Sequence, residues 1–284
     1  MNESMIEINR KALKALNNGD EDTAQSLFRK NADLYPCCLT LHNLGLYYLV
    51  YGVITKNGKI RSAHQLGAKR LIEASLYEHT YLNCIAIATT AMEDRNFEYA
   101  YRFLIEASGM QSEDITRYNI GVCLYHMKRY EEALMIFSEL VQPGTIARIE
   151  KNVGENPYII MANCMLNIGD IEGCRNTVGV FRRLYPNKAH YDVFCLRFLC
   201  GDYESAMTEL DPLLKKWFLT KRMAAMILSC DNDRLIQGKL REHIFGKSRD
   251  WLEMLIHDEG YRNDMIKQDE YVPPSIRQYY FMQE

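Results

Sequence analysis

The feature that most constrains this chain is that it repeats itself. The block Phe97-Glu98-Tyr99-Ala100 returns as Tyr130-Glu131-Glu132-Ala133, Ile171-Glu172-Gly173-Cys174 and Tyr203-Glu204-Ser205-Ala206. Each block is a large apolar residue, then Glu, then a small residue three positions after the first. Successive blocks start 33, 41 and 32 residues apart. Two of these spacings fit a unit of about 34 residues. The longer one predicts an inserted loop over 142–156, where Pro143-Gly144 and Pro157 mark turns.

Two further signals run with the first. Gly19-Asp20, Gly169-Asp170 and Gly201-Asp202 stand just ahead of the small residues Ala24, Cys174 and Ala206. Gly adopts the left-handed backbone that ends one helix, and Asp accepts from the free amides that begin the next. Leu34-Tyr35-Pro36 and Leu184-Tyr185-Pro186 then close the second helix of their units. Between these marks the apolar residues recur at three and four, as in Ala133, Ile136, Phe137 and Leu140. No segment alternates long enough to predict a sheet.

Composition narrows the function classes. The chain is 48% hydrophobic with only 7 Pro, enough to bury a sizeable core without a long linker. A net charge of −3 and no basic stripe argue against nucleic acid as a partner. The 9 Cys form no CxxC pair and sit among apolar neighbours, which predicts reduced, buried thiols in a reducing compartment. Residues 1–8 lack a basic start and apolar stretch, and the apolar run Leu44–Ile54 is too short to span a bilayer. The expectation is a cytoplasmic protein with no membrane insertion.

Leu44-Gly45-x-x-Tyr48, Ile120-Gly121-x-x-Leu124, Ala24-x-x-x-Phe28 and Ala133-x-x-x-Phe137 resemble the tetratricopeptide repeat (TPR) family. The resemblance implies an all-α fold, a right-handed α-solenoid of about six TPR-like helix pairs with C-terminal capping helices. The units run over 5–36, 38–78, 81–110, 114–142, 155–186 and 187–216, so residues 1–216 are the repeat array. The second unit is degenerate, with a polar insertion over Thr55–Gln65. Residues 217–284 form a helical cap and an aromatic tail. Helices are expected over Trp217–Cys230, Arg234–Phe245 and Ser248–His257, with a break at Asp231-Asn232-Asp233. The tail from Tyr271 to Glu284 is expected to be extended and to dock on the body.

In the family the first helix of each unit lines a concave groove that takes peptides. The resemblance places that lining at His42, Leu46 and Leu49, at Ile85, Thr89 and Met92, and at Tyr118, Val122 and Tyr125. Further along it falls on Ile159, Asn163 and Leu166, and on Tyr191, Cys195 and Phe198. These positions carry hardly any Lys or Arg, unlike the carboxylate clamps of some family members. They suit an extended or helical peptide held by aromatic packing and by amides such as Asn163.

No catalytic constellation stands out, and no cofactor or metal is expected. Cys123 and His126 share a helix face without a third orienting group. His190, Cys195 and Cys200 have poor ligand spacing. Two function classes stay open. One is a scaffold or adaptor that binds another protein or a peptide. The other is a peptide-sensing regulator of bacterial signalling type that lacks its own DNA-binding domain.

Overall fold

The computed structural model of the protein describes residues 2–54, 60–61, 63–215, 220–230, 249–267 and 271–283. The described chain is built of helices and divides into two bodies, residues 1–128 with 275–284, and residues 129–274.

The first body holds α1 (Glu3–Asn17), α2 (Glu21–Leu34), α3 (Cys38–Val50), α4 (His64–Ser75), α5 (Tyr81–Glu93), α6 (Phe97–Met110) and α7 (Asp114–His126). They pack as the hairpins α1–α2, α3–α4 and α5–α6, with α7 against α6. Ala24 and Ala100, two of the small residues of the repeat, are fully buried between helices. The α3–α4 hairpin closes on two glycines. A Cβ on Gly67 would stand 2.6 Å from Leu49 Cγ and 2.8 Å from the Gly45 carbonyl oxygen.

The second body holds α8 (Tyr130–Glu139), α9 (Pro143–Val153), α10 (Pro157–Asn167), α11 (Ile171–Leu184), α12 (His190–Leu199), α13 (Tyr203–Thr208) and α14 (Leu210–Lys215). Beyond them come α15 (Lys221–Cys230), α16 (Arg249–His257) and α17 (Glu259–Lys267). The hairpins α10–α11 and α12–α13 bury Cys174 and Ala206 at the repeat's small position. Met223, Ile227 and Leu228 of α15 and Leu252 and Leu255 of α16 join Phe194 and Cys195 of α12 in one buried apolar cluster.

The junctions form as their sequences require. Gly19, Gly169 and Gly201 adopt φ of +76°, +81° and +75°. Asp20, Asp170 and Asp202 then accept from the amides of Thr23, Gly173 and Ser205. The same turn ahead of α6 is made by Arg95 at φ +57°, with Asn96 as the cap.

The structure corrects three expectations. The loop expected over 142–156 is the helix α9. Pro143 starts it, Thr145, Ile146 and Ile149 bury one face, and Gly154 ends it at φ +70°. No sheet was expected, yet Val53–Ile54 (β1), just ahead of the polar insertion, pairs antiparallel with Ile60–Arg61 (β2) within it. Helix α17 was not anticipated. The described part of the Trp217–Cys230 helix begins at Lys221, and Ser248–His257 is realised as α16. The break at Asp231–Asp233 and the helix expected over Arg234–Phe245 lie outside the described residues, as does Lys216 at the expected domain boundary.

Candidate peptide groove

A buried Asn in an apolar helix must find hydrogen-bond partners, because leaving its amide unpaired costs on the order of 1–3 kcal/mol. Helix α3 is buried from Cys38 through Tyr48, and this stretch contains His42 and Asn43. Helix α7 is buried from Tyr118 through Tyr125 and contains Asn119. Asn43 and Asn119 are both fully buried. Their partner is the carboxyl-terminal tail, which lies extended in the first body.

Each asparagine holds one tail residue by both main-chain groups. Met282 N–H donates to Asn43 Oδ1 at 2.7 Å, and Asn43 Nδ2 donates to the Met282 carbonyl at 2.8 Å. Ile276 N–H donates to Asn119 Oδ1 at 2.8 Å, and Asn119 Nδ2 donates to the Ile276 carbonyl, also at 2.8 Å. Between these pincers Gln278 N–H donates to Thr89 Oγ1 at 3.3 Å, and the Tyr280 carbonyl lies 3.0 Å from His42 Nε2. At the far end Asn9 Nδ2 donates to the Met282 and Gln283 carbonyls at 3.2 and 3.1 Å. The contacting groups thus come from α1, α3, α5 and α7, and from Ile276 to Met282 they address every second tail residue. That is the period of an extended chain.

Side chains fill the remaining space. Ile276, Gln278 and Met282 are buried, while Arg277 and Tyr280 are exposed. Phe281 stacks on Phe28 at a centroid distance of 5.6 Å, and Tyr279 and Phe281 pack with Leu46 and Leu49. Tyr279 OH donates to Glu93 at 2.9 Å, and Arg277 Nε pairs with the same carboxylate at 2.7 Å. Burial is the main reason the His42 imidazole titrates below its usual range, against the pull of its bonds to Tyr280 and Asn83. A cleft of about 680 Å³ lined by Tyr81, Glu113 and the tail's Tyr280–Gln283 opens beside this segment.

The residues expected to line a groove fall into distinct settings. His42 and Thr89 bond the tail main chain, and Leu46 and Leu49 pack against its aromatics. Ile85 lies in the α5–α6 core, and Met92, Tyr118, Val122 and Tyr125 are buried on α5 and α7. In the second body Ile159 and Leu166 join the α10–α11 core, and Asn163 Nδ2 bonds back to the Ile159 carbonyl at 2.8 Å. Tyr191, Cys195 and Phe198 pack with the cluster formed by α15 and α16. Asn9, Asn43, Thr116 and Asn119 were not anticipated. The repeated Asn43-Leu44-Gly45 and Asn119-Ile120-Gly121, polar residues inside otherwise apolar runs, carried the signal.

The residues weighed for chemistry are engaged elsewhere. His126 stacks on Phe97 at 3.8 Å, and burial pushes the Cys123 thiol up to about 12. His190, Arg182 and Arg197 converge on the buried carboxylate of Glu209 at 2.6, 2.7 and 3.3 Å. Cys195 belongs to the apolar cluster on α12. His79, Cys84 and Glu106 bring one donor atom each within 4.8 Å of the others, an arrangement the sequence spacing did not suggest. His79 Nδ1 contacts Glu106, and burial pushes the Cys84 thiol up to about 12, so an incoming cation would have to displace its proton.

No family model matches the chain, and none of the curated proteins does. Among solved structures the chain is similar to a tetratricopeptide repeat protein from Parabacteroides merdae ATCC 43184. The likeness has a TM-score of 0.58 at 14% identity and spans 94% of this chain and 98% of that one. Among the described residues no helix is long and apolar enough to cross a membrane. With its stacked hairpins and their Gly-Asp junctions, the chain has the all-α fold of a tetratricopeptide repeat protein.

Proposed function

We propose that the protein is a non-catalytic scaffold or adaptor that binds another protein through an extended peptide segment, in the groove lined by α1, α3, α5 and α7. One observation carries this reading. Asn43 and Asn119 each close on the N–H and C=O of a single residue of an extended chain. Main-chain pincers of this kind give affinity for an extended strand irrespective of its sequence, and pockets for alternate side chains add selectivity. The fold is one whose stacked first helices serve as a binding surface. The chemistry of the groove, amide and aromatic with little basic charge, favours a neutral segment over an acidic carboxyl-terminal tail.

The test is selection of displayed random peptides on the full chain with its own tail weakened by Gln278→Ala/Met282→Ala, which opens the groove. Selected peptides should lose at least about 10-fold in affinity when Asn43→Ala/Asn119→Ala is added. Peptides that bind equally well with and without those two substitutions, or the failure of any peptide to be selected, would overturn the reading.

A further inference from the structure

One tail side chain is treated differently from its neighbours. Gln278 is fully buried, and its amide is read on both sides. Asn119 Nδ2 donates to Gln278 Oε1 at 3.1 Å, and Gln278 Nε2 donates to Thr116 Oγ1 at 3.4 Å. Thr116 Oγ1 is in turn 2.9 Å from Tyr81 OH. The donor meets an acceptor and the acceptor meets a donor, which is the pattern of a primary amide and of no charged side chain. The same Asn119 that holds the Ile276 main chain therefore also reads the side chain two residues on. Ile276 on one side and Met282 on the other are buried, so three positions of the segment are specified by enclosure.

We infer that the groove contains a glutamine-reading subsite, and that the chain's own tail is a resident competitor for a partner protein presenting Ile-x-Gln-x-x-x-Met or a close equivalent in extended form. This rests on the peptide-binding reading above. The tail satisfies every element of the site, and it is tethered. A tethered segment acts at an effective concentration of order millimolar. A partner segment of equal intrinsic affinity is thus excluded until it reaches a comparable concentration or binds better. Amide recognition sharpens the choice. A segment with Glu in place of Gln brings a charge to a buried site and offers no donor to Thr116, and one with Leu gives up both side-chain bonds while Asn119 keeps Ile276 and Thr116 keeps Tyr81. Each loses affinity, through a buried charge or through the amide hydrogen bonds forgone.

The probe is a fluorescein-labelled synthetic peptide with the sequence of residues 273–284, titrated into the full chain by anisotropy. The full chain carrying Gln278→Ala/Met282→Ala in its own tail should bind this peptide at least about 10-fold more tightly than the wild type does. The peptide carrying Gln278→Ala or Gln278→Glu should bind that variant chain about 10-fold more weakly than the parent peptide. Equal affinity of the wild-type and variant chains overturns the competition. Equal affinity of the parent and substituted peptides overturns the glutamine subsite. In both cases the peptide-binding reading stands. Absence of binding to either chain overturns that reading as well. A second measurement needs no variant. Excess isotope-labelled peptide added to the wild-type chain should speed hydrogen exchange at the tail's Ile276, Gln278 and Met282 amides, and unchanged exchange contradicts displacement.

Discussion

At the scale of single residues, burial decides which polar groups carry meaning. Asn43 and Asn119 are fully buried and bonded to main chain 239 and 157 residues away. Asn163 occurs in a similarly apolar helix but is satisfied by its own turn, 4 residues back. The sequence shows all three as polar interruptions and cannot rank them, because the partner is distant in the chain. Glu155 gives a sharper consequence. Burial, followed by the nearby charge of Asp192, raises its carboxyl to about 7 from 4.5, while Asn156 and Tyr271 bond it. Asp192 is raised by its own burial. The folded state then holds a proton that the unfolded chain has released, so stability falls as pH rises from about 4.5 to 7. Glu155→Gln should remove most of that slope. Its melting temperature should exceed that of the wild type at pH 8, by the equivalent of about 2 kcal/mol, and match it near pH 4.5. Thermal melts across this range check it, and parallel pH profiles would contradict it.

At the scale of elements, the repeat marks act through ordinary capping and close packing. The Gly-Asp junctions were legible because αL glycines and Asp caps leave a fixed dipeptide. Helix α9 was not, because Pro143-Gly144 reads equally as a turn or as the first turn of a helix. Asp170 accepts from the Gly173 amide at 2.8 Å, and Asp170→Ala should cost about 1 kcal/mol in denaturant unfolding. Arg95 sits at φ +57° where the Gly-Asp junctions have Gly, so Arg95→Gly should stabilise by about 0.5–1 kcal/mol. At Gly67 the Leu49 side chain and the Gly45 carbonyl leave no room for a methyl group. Gly67→Ala should therefore destabilise by about 1–3 kcal/mol, and a neutral result would show that α3 and α4 separate easily.

At the scale of the whole molecule, helices of the two bodies meet different kinds of partner. In the second body Phe194 and Cys195 of α12 share an apolar cluster with residues of α15 and α16. In the first, α1, α3, α5 and α7 meet an extended segment held by its main chain. The repeats identified the fold class. The aromatic tail was expected to dock on the body, but its composition left open which helices it would meet. The distinction predicts a local response. Asn43→Ala/Asn119→Ala should speed hydrogen exchange in α3, α5 and the tail while leaving α10, α11 and α12 unchanged. The account rests most directly on the main-chain pincers, and the measurement closest to them is residue-resolved amide exchange of the tail in the wild-type chain. Ile276, Gln278 and Met282 should exchange at least about 100-fold more slowly than an unstructured peptide, with Ile276 losing that protection in Asn119→Ala. Exchange of all three at the free-peptide rate in the wild type would contradict the groove and everything built on it.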